Sequence, residues 1–165
     1  MITDNPATCD CRRRPWVTIA MLGGIYTMRD DGIRLVKCPD SNHCLRGAPI
    51  IHGQLAEHWR NMEQPACKWT KIRVSDSMPC HCGGWPWVRA ETLKLYVNEM
   101  LAPGRPLKAV GCPGCRNSLV DVERSRIAVH TRHAGEPCAW SGIYVAVGSE
   151  VPPLGLKAPT SLATS

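Results

Sequence analysis

The chain has 165 residues, with 20 Lys or Arg against 14 Asp or Glu and a formal net charge of +6. This length allows one ordinary domain or two small ones, and the mild basic excess suits either an anionic partner or simple solubility. Phe is absent, ten Cys and six His are an unusual excess, and no segment approaches the ~18 apolar residues that cross a bilayer.

The N-terminal segment has no basic region followed by an apolar stretch, so we expect no secretory signal and a cytoplasmic protein. Stable disulfides are not expected in a reducing cytosol, although disulfide stapling is the alternative explanation for so many cysteines. We expect residues 1–8 to be flexible.

The same landmarks occur twice along the chain. Residues 9–17 (CDCRRRPWV) return at 80–88 (CHCGGWPWV), and Val-x-Cys-Pro at 36–39 returns at 110–113. A second Cys, a His and a Cys-x-Trp sequence follow in the same order in both halves. The sequence therefore predicts a tandem duplication, with the recurring tryptophans in the core. These are Trp16, Trp69, Trp87 and Trp140.

The repeat predicts a small, β-rich α+β protein built from two zinc-ribbon or zinc-finger-like modules. Module 1 spans 9–74, a linker spans 75–79 and module 2 spans 80–148. Residues 149–165 (SEVPPLGLKAPTSLATS) lack a periodic apolar face and predict a disordered tail.

Comparison of the two copies also predicts local structure. Residues 91–102 could form an amphipathic helix, but the matching segment contains Gly23-Gly24 and ends in an Asp-Asp-Gly turn. We therefore predict a β-hairpin in each module. Single helical turns at 54–59 and 126–132 are expected to carry a histidine, the second capped by Ser125.

Module 2 contains a set of residues with zinc-ligand spacing, Cys112-x2-Cys115-x14-His130-x7-Cys138. Zinc prefers four tetrahedral ligands, above all thiolate sulfur and imidazole nitrogen. The Pro-Gly pair between the first two cysteines lets the chain turn tightly around an ion. The sequence predicts that these four residues bind Zn²⁺.

The matching set in module 1 is Cys38, Cys44, His58 and Cys67. Its first gap is wider, and His43 could compete with Cys44 as a ligand. The remaining histidines are interpreted as solvated or structural, with one of them also a spare ligand candidate. They are His52, His81 and His133, the last being the spare.

Two Cys-x-Cys pairs remain, Cys9 with Cys11 and Cys80 with Cys82. They could meet in a third, all-cysteine zinc site, giving three ions instead of two. Alternatively, each pair joins the first two cysteines of its own module in an all-cysteine ribbon, which leaves His58, Cys67, His130 and Cys138 without a role. Some of these cysteines could also be simple buried thiols.

A closed shell of four protein ligands has no open position for substrate, so the sites are expected to be structural and the protein not an enzyme. A thiol oxidoreductase is disfavoured because no βαβ pattern surrounds the cysteine motifs. No small-molecule substrate is inferred.

The run from Cys112-Pro-Gly-Cys115 through residues 127–130 to Cys138-Ala-Trp-Ser-Gly142 resembles short CCHC zinc-finger-like proteins of actinobacteria and their phages. The resemblance covers about thirty residues of module 2 and implies zinc and a small β-rich fold, in the host cytoplasm if the protein is phage-encoded. It implies no particular activity. The ligand spacing is also similar to the zinc site of inhibitor-of-apoptosis repeats.

The slightly preferred partner is nucleic acid. Basic side chains adjoin the cysteines and histidines in both modules, where they could contact phosphates on an ordered scaffold. The candidates are Arg12, Arg13, Arg14, Lys68, Lys71, Arg73, Arg124, Arg126 and Arg132. Trp59 or Trp85 could stack on a base. Because acidic residues are interleaved with these basic ones, the alternative is that the basic side chains only form a solvated surface. The other functional hypothesis is an adaptor that binds proteins, or a phage protein with a structural or host-interaction role.

Overall fold

A computed structural model describes residues 11–40, 47–58, 67–76, 78, 80, 83–93, 96–98, 107–132 and 135–153. Within these ranges the protein is β-rich, and its helical content is two 3-10 turns, Ala90–Thr92 and Pro113–Cys115. The β-rich part of the predicted α+β fold is confirmed, whereas these residues contain no α-helix. In this part of the chain, no helix is long and apolar enough to span a membrane.

Twelve strands of the described chain form one mixed sheet. The first half contributes β1 (Trp16–Thr18), β2 (Ile25–Met28), β3 (Arg34–Val36), β4 (Ala48–Ile51), β5 (Gln54–Leu55) and β6 (Arg73–Ser75). The second half contributes β7 (Trp87–Arg89), β8 (Tyr96–Asn98), β9 (Leu107–Cys112), β10 (Ser118–Glu123), β11 (Arg126–Ile127) and β12 (Tyr144–Ala146). Across the sheet the order is β2-β3-β4-β5-β6-β1-β7-β12-β11-β10-β9-β8.

The strand order is the same when it is followed outward from the centre in either direction. At the centre, β1 and β7 pair antiparallel, with Trp16 opposite Trp87. On one side β6 lies parallel to β1, and on the other β12 lies parallel to β7. The remaining neighbours are antiparallel on both sides.

The residue pairing also corresponds between the two halves. Corresponding pairs are Trp16–Arg73 and Trp87–Tyr144, Ile50–Leu55 and Val122–Ile127, and Ile25–Val36 and Tyr96–Val110. Matched residues lie 71 to 74 positions apart, as from 16 to 87 and from 36 to 110. The described matched residues, Cys38 with Cys112, His58 with His130 and Cys67 with Cys138, therefore end or follow corresponding strands of the sheet.

Two tight hairpins lead to the segments where single helical turns carrying His58 and His130 were predicted. His52-Gly53 joins β4 to β5 and Arg124-Ser125 joins β10 to β11, all four residues with positive φ. Two left-handed residues form the turn that matches the twist of paired strands. The predicted helical turns at 54–59 and 126–132 are wrong, because Leu55 and Ile127 are buried in the sheet and Ser125 lies in the turn.

The choice of strand over helix within residues 91–102 is confirmed where the chain is described. Tyr96–Asn98 forms β8 and pairs with β9. A 3-10 turn precedes it, and Leu93 between them is buried. Residues 94–95 and 99–106 lie outside the described ranges.

The core is shared by both halves. All four recurring tryptophans are buried, as predicted, and Trp69 and Trp140 meet edge-to-face with ring centroids 6.1 Å apart. The indole N–H of Trp140 donates a hydrogen bond to the Met21 carbonyl at 2.8 Å. One large cluster joins buried side chains of both halves, so each half depends on the other for part of its burial.

Beyond β12, the chain folds back onto the sheet. The Tyr144 hydroxyl donates to the Glu150 carboxylate at 2.9 Å, and Arg12 Nε donates to the carbonyl of Pro152, a buried residue, at 3.1 Å. Residues 149–153 are therefore fixed by contacts, although they belong to the segment predicted as a tail. The rest of that segment, 154–165, and the flexible residues predicted at 1–8 lie outside the described chain.

Candidate metal centres

Three stretches of the second half bring four metal-ligating side chains together. Cys112 ends β9, and the Pro-Gly turn that follows carries Cys115. His130 comes three residues after β11, and Cys138 comes at the end of the next loop. The backbone N–H of Cys138 bonds the His130 carbonyl at 3.1 Å, which holds the last two ligand positions together.

The four ligand atoms of this second centre lie within 4.8 Å of one another. Cys138 Sγ is 3.6 Å from Cys112 Sγ and 3.7 Å from Cys115 Sγ. Thiolates bound to one tetrahedral ion at about 2.3 Å stand about 3.8 Å apart. The sulfur separations therefore suit a shared ion, whereas a disulfide needs about 2.05 Å. None of the seven described cysteines forms a disulfide.

The imidazole of His130 is oriented as a metal ligand. Its Nδ1 lies 2.8 Å from the Ala128 carbonyl, which can only accept, so Nδ1 carries the proton. Its Nε2 then has a lone pair, is buried, and has no hydrogen-bond partner. A buried nitrogen without a partner is costly, and a metal ion would satisfy it. Ser141 adds support, since its Oγ accepts from the His130 backbone N–H at 3.1 Å.

The turn between the first two cysteines requires glycine. A Cβ at Gly114 would lie 2.8 Å from Trp140 Cδ1 and 2.9 Å from Cys138 Sγ. Both atoms are held by the core and the metal centre, so neither can move away easily. The absence of a side chain lets the turn approach the fourth ligand closely.

Gly114→Ala is therefore expected to weaken metal binding at the second centre. Overpacking of this kind costs about 1–3 kcal/mol. Competition with a chromophoric zinc chelator would measure the affinity, and denaturant unfolding the stability. Gly148→Ala is the control, since Gly148 has positive φ but open space around it. Gly148→Ala should lower the free energy of unfolding by about 1 kcal/mol, because alanine disfavours positive φ, and should leave the zinc affinity unchanged. Equal zinc affinity in both variants would contradict the packing argument.

The first half repeats this arrangement with three described ligands. Cys38 follows β3, His58 follows β5, and Cys67 opens the next turn. His58 Nε2 is 3.3 Å from Cys38 Sγ, which is 3.6 Å from Cys67 Sγ. His58 Nδ1 lies 2.9 Å from the Ala56 carbonyl, and the Cys67 N–H bonds the His58 carbonyl at 2.9 Å. The predicted fourth ligand, Cys44, lies outside the described residues, as does its rival His43.

The thiols of the second centre shift one another's pKa values. A hydrogen bond from the Cys112 thiol lowers the pKa of Cys138 to about 5, and the same bond together with burial raises the pKa of Cys112. Burial also raises the pKa of Cys115. In the first centre, the hydrogen bond to Cys67 raises the pKa of His58. The second centre thus favours a negative sulfur on Cys138 next to proton donors, and a cation would take the place of those protons.

The two described cysteines of the Cys-x-Cys pairs lie in a different region. Cys11 and Cys80 are both buried in a second cluster, with Trp16 and Trp87 at the centre of the sheet. The Trp87 indole N–H donates to the Cys11 carbonyl at 2.6 Å, and Arg73 Nη2 lies 3.4 Å from Cys80 Sγ. Cys9 and Cys82, the other members of the pairs, lie outside the described chain.

The basic residues predicted to bind nucleic acid divide into two groups. Arg73 and Arg126 are half-buried: Arg73 lies over the Trp16 ring at 5.0 Å, and Arg126 donates to the Gly142 carbonyl at 2.9 Å. Burial lowers the pKa of Arg126. The other seven are exposed: Arg12, Arg13, Arg14, Lys68, Lys71, Arg124 and Arg132.

The two tryptophans predicted to stack on a base give no support for that role. Trp85 is half-buried and packs against the core, with its indole nitrogen buried and unpaired. Trp59 lies outside the described chain, as do His81 and His133. His52 is exposed in the β4–β5 turn, in line with its interpretation as a solvated residue.

Sequence reasoning did not single out the residues that support the ligands. Ser141 and the carbonyls of Ala56 and Ala128 hold the two imidazoles, and Arg116 follows Cys115 on the exposed side of the turn. The matched Ala at two positions before each histidine was the available signal. Comparisons with protein families, with curated proteins and with solved structures found no match to this chain.

Proposed function

We propose that the protein is a zinc-stabilised binding protein in which two repeated Cys/His modules form one sheet and bind nucleic acid. The observation that carries this proposal is the pair of ligand clusters at matched positions of a sheet whose two halves share strand order and register. A tandem zinc-ribbon-like repeat is the simplest origin of that correspondence.

Zinc is the ion best suited to these residues. Thiolate and imidazole ligands in a tetrahedral set favour Zn²⁺ over the oxygen-seeking Mg²⁺ and Ca²⁺. In the second centre all four ligands come from the protein, which leaves no position for substrate or activated water. The role of the ion is therefore to stabilise the fold, and the protein is not proposed to be an enzyme.

A third ion at the centre of the sheet extends the proposal. Cys11 and Cys80 come from different modules yet share one buried cluster, apart from the cluster that contains Cys38 and Cys112. This separation supports a shared all-cysteine site with Cys9 and Cys82 over a ribbon within each module. A thiol-rich site joining β1 and β7 would hold the modules together.

Metal content per chain tests the scheme directly. We expect the purified protein to contain three equivalents of zinc by elemental analysis, and Cys11→Ser with Cys80→Ser to reduce the content to two. Two equivalents in the unmodified chain would leave one site per module and overturn the shared site. A content near zero in protein with an intact fold would overturn the zinc proposal as a whole.

Nucleic acid is the partner favoured by the exposed charge. Seven of the nine predicted basic side chains are exposed, and one of them, Arg132, comes two residues after His130 of the second centre. Basic side chains on a fold stabilised by zinc can bind the phosphates of a nucleic acid. Zinc-loaded protein is expected to bind a DNA column at about 50 mM salt and to elute steeply before about 500 mM, as counterion release requires. No retention at low salt would remove nucleic acid as the partner.

An adaptor that binds another protein is the second candidate. Strand β2 lies at one edge of the sheet and exposes Ile25, Tyr26 and Met28. An edge with apolar side chains can pair with a strand of another chain. If the protein is not retained on the DNA column but binds an extended peptide with an affinity that does not depend on salt, the adaptor function is favoured.

A further inference from the structure

A groove of about 440 Å³ lies between the first half of the protein and the second metal centre. One wall comes from residues 20–26, which lead into β2, and from residues 37–39 at the end of β3. The other wall comes from the loops that carry Cys115 and Cys138. This volume is within the range of about 300–1,000 Å³ that ligand sites occupy.

The charge along the groove has a single sign. Among the described residues, the charged side chains that line it are Lys37, Arg116 and Arg132, all exposed, and none of the described lining residues is Asp or Glu. The chain as a whole has 14 acidic residues against 20 basic ones. The groove therefore concentrates positive charge far beyond the average of the chain, which suits an anionic occupant.

An aromatic side chain stands in the same groove. Tyr26 on β2 is 59% exposed, and Lys37 Nζ lies 5.5 Å from its ring centroid. The ring lies against Gly47, where an added Cβ would be 3.3 Å from Tyr26 Cδ1, and the Tyr26 backbone lies at a bulge between the Ile25–Val36 and Thr27–Leu35 pairs. An exposed, positioned ring among cations is the combination that single-stranded nucleic acid binds, by base stacking and phosphate contacts.

We infer that this groove binds an unpaired nucleotide of a single-stranded nucleic acid, with the base on Tyr26 and the phosphates on Arg116, Arg132 and Lys37. The inference rests on the proposed nucleic-acid function and gives it a site. A duplex keeps its bases stacked inside and would not fill a groove of this size without unstacking. Single strands are therefore expected to bind more tightly than duplexes.

The experiment uses zinc-loaded full-length protein and a fluorescent twelve-nucleotide dT strand, followed by anisotropy at several salt concentrations. Tyr26→Ala should weaken binding about 5- to 150-fold, the loss expected for one stacked base, while Tyr26→Phe should bind nearly as well as the original chain. Arg116→Gln with Arg132→Gln should weaken binding and reduce the slope of log affinity against log salt by about 1.4, as expected for two phosphate contacts.

A charge-matched control separates the groove from general attraction. Arg29→Gln with Lys108→Gln removes two exposed cations that do not line the groove. Its affinity should stay within about twofold of the original chain, since neither side chain lines the groove and Arg29 already pairs with Asp31 at 2.8 Å. Near-UV circular dichroism of every variant would show that the fold is retained.

The outcomes distinguish the site from the function. Binding by the original chain with equal losses in groove and control variants would overturn the groove and leave the nucleic-acid function standing. No binding of either single strand or duplex at low salt would overturn the function itself. Preference for a duplex of the same length would also overturn the groove.

Discussion

Removal of zinc with a strong chelator is expected to unfold the whole protein. Structural zinc contributes about 10–16 kcal/mol in small zinc domains, whereas a folded domain is stable by about 5–15 kcal/mol in total. The described strands are short, with two to six residues each, and the chain has no Phe to enlarge its core. The free energy lost when two or three ions are removed therefore exceeds the free energy of unfolding of the protein.

Near-UV circular dichroism of the tryptophans would follow this unfolding, because Trp16, Trp87 and Trp140 are fully buried. The signal and the cooperative thermal transition should disappear with the chelator. Added Zn²⁺ should restore both, and Mg²⁺ should not, because Mg²⁺ requires oxygen ligands. A metal-free chain that keeps its transition temperature within a few degrees would contradict a structural role for the ion.

Cys138→Ser is expected to be the most damaging single substitution. Cys138 Sγ contacts both other sulfurs of the second centre, and its pKa is the one that hydrogen bonding lowers to about 5. A serine hydroxyl does not supply a thiolate, so zinc content should fall by one equivalent per chain. The cost should exceed about 4 kcal/mol, which is exceptional for a point substitution.

The effect should reach both halves, because Trp140, two residues on, contacts Trp69 and the Met21 carbonyl. We expect one unfolding transition at lower temperature instead of two separate transitions. Ala139→Ser is the matched control, since residue 139 is exposed and adjacent. It should keep its zinc and its stability. If Cys138→Ser retained full zinc content, Cys138 would not be a ligand.

Short-range chemistry in the sequence was enough to predict the cluster of potential ligands in the second half. Cys112, Cys115, His130 and Cys138 were chosen from ligand type and spacing, and the structure brings these four together. The same reasoning placed Cys38, His58 and Cys67 in one set, and these also meet. The buried tryptophans followed from their recurrence. The tandem repeat and the third site remain predictions that the matched registers and the Cys11–Cys80 cluster support.

Prediction from local sequence pattern failed for two segments whose secondary structure depends on pairing with residues further along the chain. Where helical turns were predicted at 54–59 and 126–132, the described chain instead begins with the short strands Gln54–Leu55 and Arg126–Ile127, because a left-handed two-residue turn before each lets Leu55 and Ile127 enter the sheet. Hydrophobic periodicity cannot identify such short strands, because a strand of two residues is too short to show an alternating pattern.

The sequence by itself determined which residues can bind metal and which rings form the core, because ligand chemistry and hydrophobicity belong to each side chain. Only the tertiary structure decided that both halves join edge to edge at Trp16 and Trp87 in one sheet with a shared core. It also decided that Lys37, Arg116 and Tyr26 line one groove. Strand pairing joins residues about 70 positions apart, and that choice depends on the combined burial and hydrogen bonding of the whole chain instead of on any one segment.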